Sequence, residues 1–238
     1  GIRDRDVTGV QTCALPIFDP NNLRKKSVKD LKKINIVSEG ILGEILSINL
    51  SDHIDYHFYI KRYFDNTTYY FTKEVSSNKK NIVLIDVGAN IGTISIPVAK
   101  IGINVVAIEP NPRTFNRLRE NIDLNGLKNI QVVQAALVAK PKKSEKVRLF
   151  SQRGNTGASS LIKNWNRGIK EPEVFEVRAE SIDSLSTKVE SFRGEFQFIL
   201  KIDVEGMEYE VLKGAENFLS EHQVLIIIEW RPDLVGKS

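Results

Sequence analysis

Residues Ile82–Pro112 read I-V-L-I-D-V-G-A-N-I-G-T-I-S-I-P-V-A-K-I-G-I-N-V-V-A-I-E-P-N-P. An apolar run closes on Asp86, and a loop carrying Gly88 and Gly92 follows. An amphipathic segment comes next, and a second apolar run closes on Glu109. This is β–loop–α–β with an acid at the end of each strand, the layout of a site for an adenosine-bearing cofactor. The alternative is a plain βαβ crossover whose glycines only allow tight packing.

The loop spacing narrows the cofactor. A dinucleotide fingerprint is G-x-G-x-x-G with an acid further on for the ribose. Here D-V-G-A-N-I-G, Asp86–Gly92, sets its two glycines four residues apart with Asn90 between them. An acid two places before the first glycine suits S-adenosylmethionine (SAM) better. That molecule has no pyrophosphate, but it has a sulfonium and an amino-acid tail whose ammonium a carboxylate can pair. Asp86 is expected near that ammonium, and Glu109 is placed to accept hydrogen bonds from the ribose hydroxyls.

The chain has 238 residues, 41% of them hydrophobic and 27% charged, which suits one α/β domain with a sizeable core and an N-terminal extension. No apolar run reaches the roughly 18 residues that span a bilayer, and no signal peptide is visible, so a cytoplasmic protein is expected. A net charge of +4 does not by itself argue for nucleic acid. The single cysteine, Cys13, excludes an internal disulfide. Val7–Ile17 resembles the translation of a sequencing-library adapter, so residues 1–17 are set aside as a tail. Residues 18–80 are expected to form an extension of helix and short strands, and residues 81–238 the cofactor-binding domain.

Along the chain, the basic stretch Asp19–Lys33 reads as a solvated helix face. Ile41–Leu50 is apolar enough for a strand or short helix. Loose alternation at Phe58 and Ile60 reads as a strand over His57–Tyr63. Asp65–Asn66 marks a turn, and Ser76–Lys80 a polar linker. Pro97 implies that the helix after the glycine loop is kinked or starts late. Asn111 is a good N-cap with Pro112 after it, Phe115, Leu118 and Ile122 form a buried stripe, and Gly126 is a natural stop. Ile130–Gln134 is a third strand. Lys146–Phe150 and Val174–Val177 read as added strands separated by a Gly/Ser/Asn-rich loop, Ser151–Ser160. Phe196–Asp203 is a buried strand, Gly206–Leu219 one helix, and Val224–Glu229 a further strand.

A second cluster, L-K-I-D-V-E-G-M-E, spans Leu200–Glu208. A strand ends in Asp203, and Glu205 and Gly206 turn into a helix. Should this strand lie beside the first, Asp203 and Glu205 face the Gly88–Gly92 loop across one crevice, and Lys201 can pair with a nearby carboxylate. Asp203 as a mere helix-capping acid is the bland alternative.

Together, D-V-G-A-N-I-G at Asp86–Gly92, E-P-N-P at Glu109–Pro112, G-A-S-S-L at Gly157–Leu161, S-I-D-S-L at Ser181–Leu185 and K-I-D-V-E-G-M-E at Lys201–Glu208 resemble the FkbM family of SAM-dependent methyltransferases. The resemblance covers roughly Asn81–Arg231. It implies a three-layer α/β/α, Rossmann-like class I sheet and O-methylation of a hydroxyl on a sugar, glycan or polyketide-like molecule. It implies that Asp86, Gly88, Ala89, Asn90 and Gly92 form the SAM loop. It also implies that Glu109 holds the ribose, that Pro110 belongs to the cofactor site and that Ala135 lies near the adenine. Such sheets finish with an antiparallel hairpin for which too few residues follow Glu229, so a chain truncated at both ends is expected.

Methyl transfer to an alcohol benefits from a base, and Asp203 and Glu205 are the candidates. His53 and His57 are four apart, but in a segment read as strand or loop, and no metal is expected. The rival readings are an NAD-linked oxidoreductase, a nucleic-acid methyltransferase and a non-catalytic SAM-binding fragment. The second is disfavoured because Asp203-Val204-Glu205 stands where a base-flipping turn would be. Acceptor specificity is assigned to Ser151–Pro172 and the N-terminal extension.

Overall fold

The computed structural model describes residues 35–78, 81–163, 165, 171–189 and 197–229. The tail 1–17, the basic stretch 19–33 and the chain after residue 229 lie outside the described residues. A hairpin of β1 (Asn35–Glu39) and β2 (Ile45–Asn49) leads into helices α1 (His53–Lys61) and α2 (Asn66–Asn78). Then come β3 (Ile82–Val87), α3 (Ser95–Lys100), β4 (Asn104–Ile108), α4 (Pro112–Leu124) and β5 (Ile130–Val133). Short β6 (Ala136–Leu137) is followed by β7 (Lys146–Gln152), β8 (Asn155–Ser160) and β9 (Glu173–Glu180). The described elements end with α5 (Ile182–Val189), β10 (Gln197–Ile202), α6 (Glu208–Lys213), α7 (Glu216–Glu221) and β11 (Val224–Ile228).

Five strands form a parallel sheet in the order β11-β10-β3-β4-β5. Every residue of β3 is buried, as expected of a central parallel strand covered on both faces. Its side chains alternate between two cores. Leu84 packs with Val105, Ala107 and Ile199 under α3 and α4. Val83 and Ile85 pack with Val106, Leu200 and the inward residues of α5–α7, Ile182, Val211 and Phe218. Each such aliphatic side chain contributes about 1.5–3 kcal/mol by leaving water. The result is a three-layer α/β/α sandwich of the Rossmann-like class I type. Strand order reverses between β3 and β10, which puts a crevice at their carboxyl ends. A second sheet, ordered β6-β9-β7-β8, stands beside it.

The N-terminal segment shares the first core through Leu46, Ile48, Phe58 and Tyr69. Its hairpin hangs on α4. Asn121 Oδ1 accepts from Ser47 N at 2.7 Å and Asn125 Oδ1 from Ile45 N at 3.0 Å. Asp55 of α1, fully buried, is ion-paired to Arg117 of α4.

Four local expectations are corrected. His53–Lys61 is a helix, not a strand: Asp52 accepts from Ile54 N at its start, Ile54 and Phe58 repeat at i, i+4, and Arg62 closes it in the left-handed region (φ 64°). The apparent alternation came from Ile60, which is only half-buried. The Asp65 turn caps α2, its carboxylate accepting from Thr67 N and Thr68 N, and the helix runs on through the polar residues to Asn78. Within Ser151–Ser160, residues 155–160 are strand β8, a hairpin partner of β7 rather than a loop. The helix expected over Gly206–Leu219 breaks at Gly214–Ala215. A Cβ on Gly214 would lie 2.5 Å from Val138 O, and Asp183 of α5 supplies a cap to the new helix start through Phe218 N (2.9 Å). The Pro97 helix starts late, at Ser95.

Candidate active site

The glycine loop leaves β3 and folds back on β4. Gly88 N and Ala89 N both donate to Ile108 O at 3.0 Å. Gly88 has φ +83°, and a Cβ there would sit 2.0 Å from Asp203 O. Only glycine lets the ends of β3 and β10 approach so closely. The pairing register makes this contact: Lys201 stands opposite Asp86 and Ile202 opposite Val87, and Asp203 N donates to Val87 O at 3.1 Å.

Lys201 connects the two acidic strand ends. Its Nζ lies 3.2 Å from Asp86 Oδ1 and 3.3 Å from Asp203 Oδ2. Asp86 is fully buried and also accepts from Ser95 Oγ at 2.6 Å. Burial alone would lower the proton affinity of Lys201. The two carboxylates outweigh it and raise the ammonium's pKa above the ordinary lysine value, so Lys201 is charged. Asp86 therefore braces the site from behind, through Lys201.

Glu109, just past β4, is 6% exposed. One carboxylate oxygen accepts from Asn90 N (3.0 Å), the other from Asn111 N (2.9 Å). Burial pushes this carboxyl up to about 7, against the downward pull of those two peptide donors. Asn111 itself caps α4 through Arg113 N at 3.0 Å.

The turn after β10 is tightly specified. Glu205 has φ 51°. Its carboxylate accepts from Trp165 Nε1 at 2.7 Å and its carbonyl from Ser160 Oγ at 2.8 Å. Gly206 (φ +96°) has no room for a side chain, since a Cβ would lie 2.1 Å from the Trp165 ring.

These elements enclose one cavity of about 360 Å³, a volume typical of small-ligand sites. Gly88, Ala89 and Asn90 line it from the loop, Glu109 and Pro110 from the end of β4, and Ala135 from beyond β5. Asp203 and Glu205 line it from the end of β10. The structure thus brings eight of the ten candidate residues to one cavity. Asp86 lies behind its wall, and Gly92 lies under the loop against Ile96 and Leu118. The lining is acidic: Asp65, Glu109, Asp203, Glu205 and Glu229 accompany Lys201 as the cation among the described residues. Such a surface favours a ligand bearing positive charge. Among the described residues no three His, Cys, Asp or Glu side chains cluster as metal ligands.

Sequence reasoning missed His53, Ile54, Phe64 and Asp65, which also line the cavity. The available signal was Asp52 followed by Ile54 and Phe58, a cap and an i, i+4 pair that mark helix α1 and put His53 at its first turn. Burial lowers the His57 pKa, with neighbouring His53 adding to it; the two rings lie 4.4 Å apart.

Residues 86–236 match the Methyltransferase FkbM domain. The chain belongs to the FkbM methyltransferase family. As an FkbM chain it is similar to the hexuronic acid methyltransferase AglP of Haloferax volcanii, at 34% identity over 147 residues, 61% of this chain and 54% of the relative. It is also similar to Methyltransferase 1 of Beauveria bassiana, at 26% identity over 159 residues, 60% of this chain and 61% of that one. The FkbM chain spans little more than half the length of these curated relatives. Among solved structures it is similar to M. jannaschii TYW2 in complex with AdoMet, at 26% identity and a TM-score of 0.33, covering 42% of this chain and 43% of that one.

Proposed function

We propose that this chain binds SAM in the cavity at the ends of β3, β4 and β10 and methylates a hydroxyl on a sugar, glycan or polyketide-like small molecule. The observation that carries the reading is the buried Glu109 carboxylate at the end of β4, beside a glycine loop that leaves β3 at the switch point of a parallel sheet. The FkbM family match and the name of the AglP relative support the reaction class and the sugar acceptor.

The donor set suits this cofactor. Glu109 and Pro110 hold the ribose, Ala135 offers an apolar surface to the adenine, and Gly88–Asn90 bring peptide groups close to the amino-acid tail. The acidic lining stabilises a cationic ligand. When bound, SAM supplies an electrophilic methyl carbon. Everything else falls to the chain. Asp203 and Glu205 hold the acceptor hydroxyl at the reacting edge and receive its proton as its oxygen becomes nucleophilic. Asp86 keeps Lys201 charged and in place, and Lys201 orients Asp203.

Isothermal titration with SAM and with NAD tests the cofactor. Binding of SAM without NAD is expected, and NAD binding without SAM would overturn the reading.

A further inference from the structure

Part of the cavity wall comes from before the matched domain: His53 and Ile54 open α1, and Phe64 and Asp65 precede α2. From within the domain, β8 adds Asn155. This wall is built in rather than laid on. Buried Asp52 caps α1 with one oxygen and accepts from Thr156 N of β8 with the other (2.8 Å), while His53 N donates to Gly154 O (2.9 Å). Ile54 fills the space over Gly157, where a Cβ would meet it at 2.7 Å. The strand then runs on to Ser160, whose hydroxyl holds the Glu205 carbonyl. One continuous hydrogen-bonded surface therefore links α1 to the reacting edge.

Its chemistry is specific. Phe64 is 39% exposed, an aromatic ring left open beside a polar site. His53 and Asn155 carry groups that donate and accept hydrogen bonds. Asp65 lines the wall as a carboxylate held in place by Thr67 N and Thr68 N on one oxygen and by the Thr68 hydroxyl on the other. A pyranose matches this set: its C–H face suits the negative face of an aromatic ring, and its rim of hydroxyls suits side chains that donate and accept. A carboxylate on the sugar would meet Asp65, Glu205 and Asp203.

We propose that this wall is the acceptor subsite and that it takes an uncharged pyranose. The inference rests on the methyltransferase reading above and departs from the hexuronic acid in the relative's name. Phe64 stacks on the ring and His53 and Asn155 orient its hydroxyls, while the SAM end of the cavity is untouched.

The test uses the full chain saturated with S-adenosylhomocysteine and two probes, methyl α-D-glucopyranoside and methyl β-D-glucuronide, read by saturation-transfer NMR. The glucoside is expected to bind and the glucuronide to bind more weakly. Phe64→Ala and His53→Ala should each weaken the glucoside about ten-fold. Calorimetric affinity for S-adenosylhomocysteine should stay unchanged in both variants. Both side chains are exposed enough for the variants to fold, and a melting curve checks this. A glucoside signal unaffected by either substitution, a preference for the glucuronide, or binding of neither sugar would overturn the subsite. If S-adenosylhomocysteine fails to bind the parent chain, the cofactor reading fails instead, and the sugar titrations are still read without it.

Discussion

Lys201 Nζ lies 3.2 Å from Asp86 Oδ1 across two strands that the register sets side by side. Asp86 is fully buried and Lys201 is 7% exposed, so Lys201 is the cation that balances the buried carboxylate. Removing the cation alone, as in Lys201→Met, leaves a buried carboxylate unpaired and should cost about 3–5 kcal/mol in urea denaturation. The double variant Asp86→Asn/Lys201→Met should recover part of that loss, because no lone charge remains. Additive losses would show that the two do not act as a pair.

Glu109 gives the fold a pH dependence of definite sign. Its ordinary value is 4.5 and its folded value about 7, so between those limits the folded chain keeps a proton that the unfolded chain has released. The stabilisation it contributes is present in full below about 4.5 and lost as pH rises through about 7. Asp55, raised by burial to about 6 despite Arg117, acts in the same direction. Denaturation midpoints should fall as pH rises from 4.5 to about 7, and Glu109→Gln should flatten that slope. An unchanged slope in the variant would remove Glu109 as its source.

Gly88→Ala should lower stability by roughly 2–4 kcal/mol and abolish SAM binding. The added methyl meets Asp203 O while the backbone stays at positive φ, so the ends of β3 and β10 must part. Thermal melts and calorimetry read the two effects.

Asp52→Ala removes both the α1 cap and the anchor to Thr156 N. A loss of about 1–2 kcal/mol is expected. SAM affinity should hold, while the KM for the acceptor rises. A parallel loss of SAM binding would mean that α1 supports the whole cavity.

The glycine-loop end of the cavity was legible in sequence because each of its signals is local. Acids close apolar runs at Asp86 and Glu109, and glycine marks the sharp turn at Gly88. The crevice reading depends on β10 lying beside β3, and the register meets that condition, with Lys201 opposite Asp86. What escaped reading depends on contacts far along the chain. Asp52 serves α1 and β8 at once, over a separation of 104 residues. Asp183 caps a helix 35 residues downstream, so the break at Gly214 has no local signature beyond the glycine. Asp86, an acid two places before the first glycine, reads as facing the ligand's ammonium. The alternation of β3 instead buries it beside Lys201 and Ser95.

The most direct measurement is calorimetric titration of SAM into the parent chain and Glu109→Ala. One-site binding to the parent, weakened about ten-fold or more by the substitution, is expected when a buried carboxylate no longer accepts from the ribose. Equal affinity in the two proteins would contradict the site.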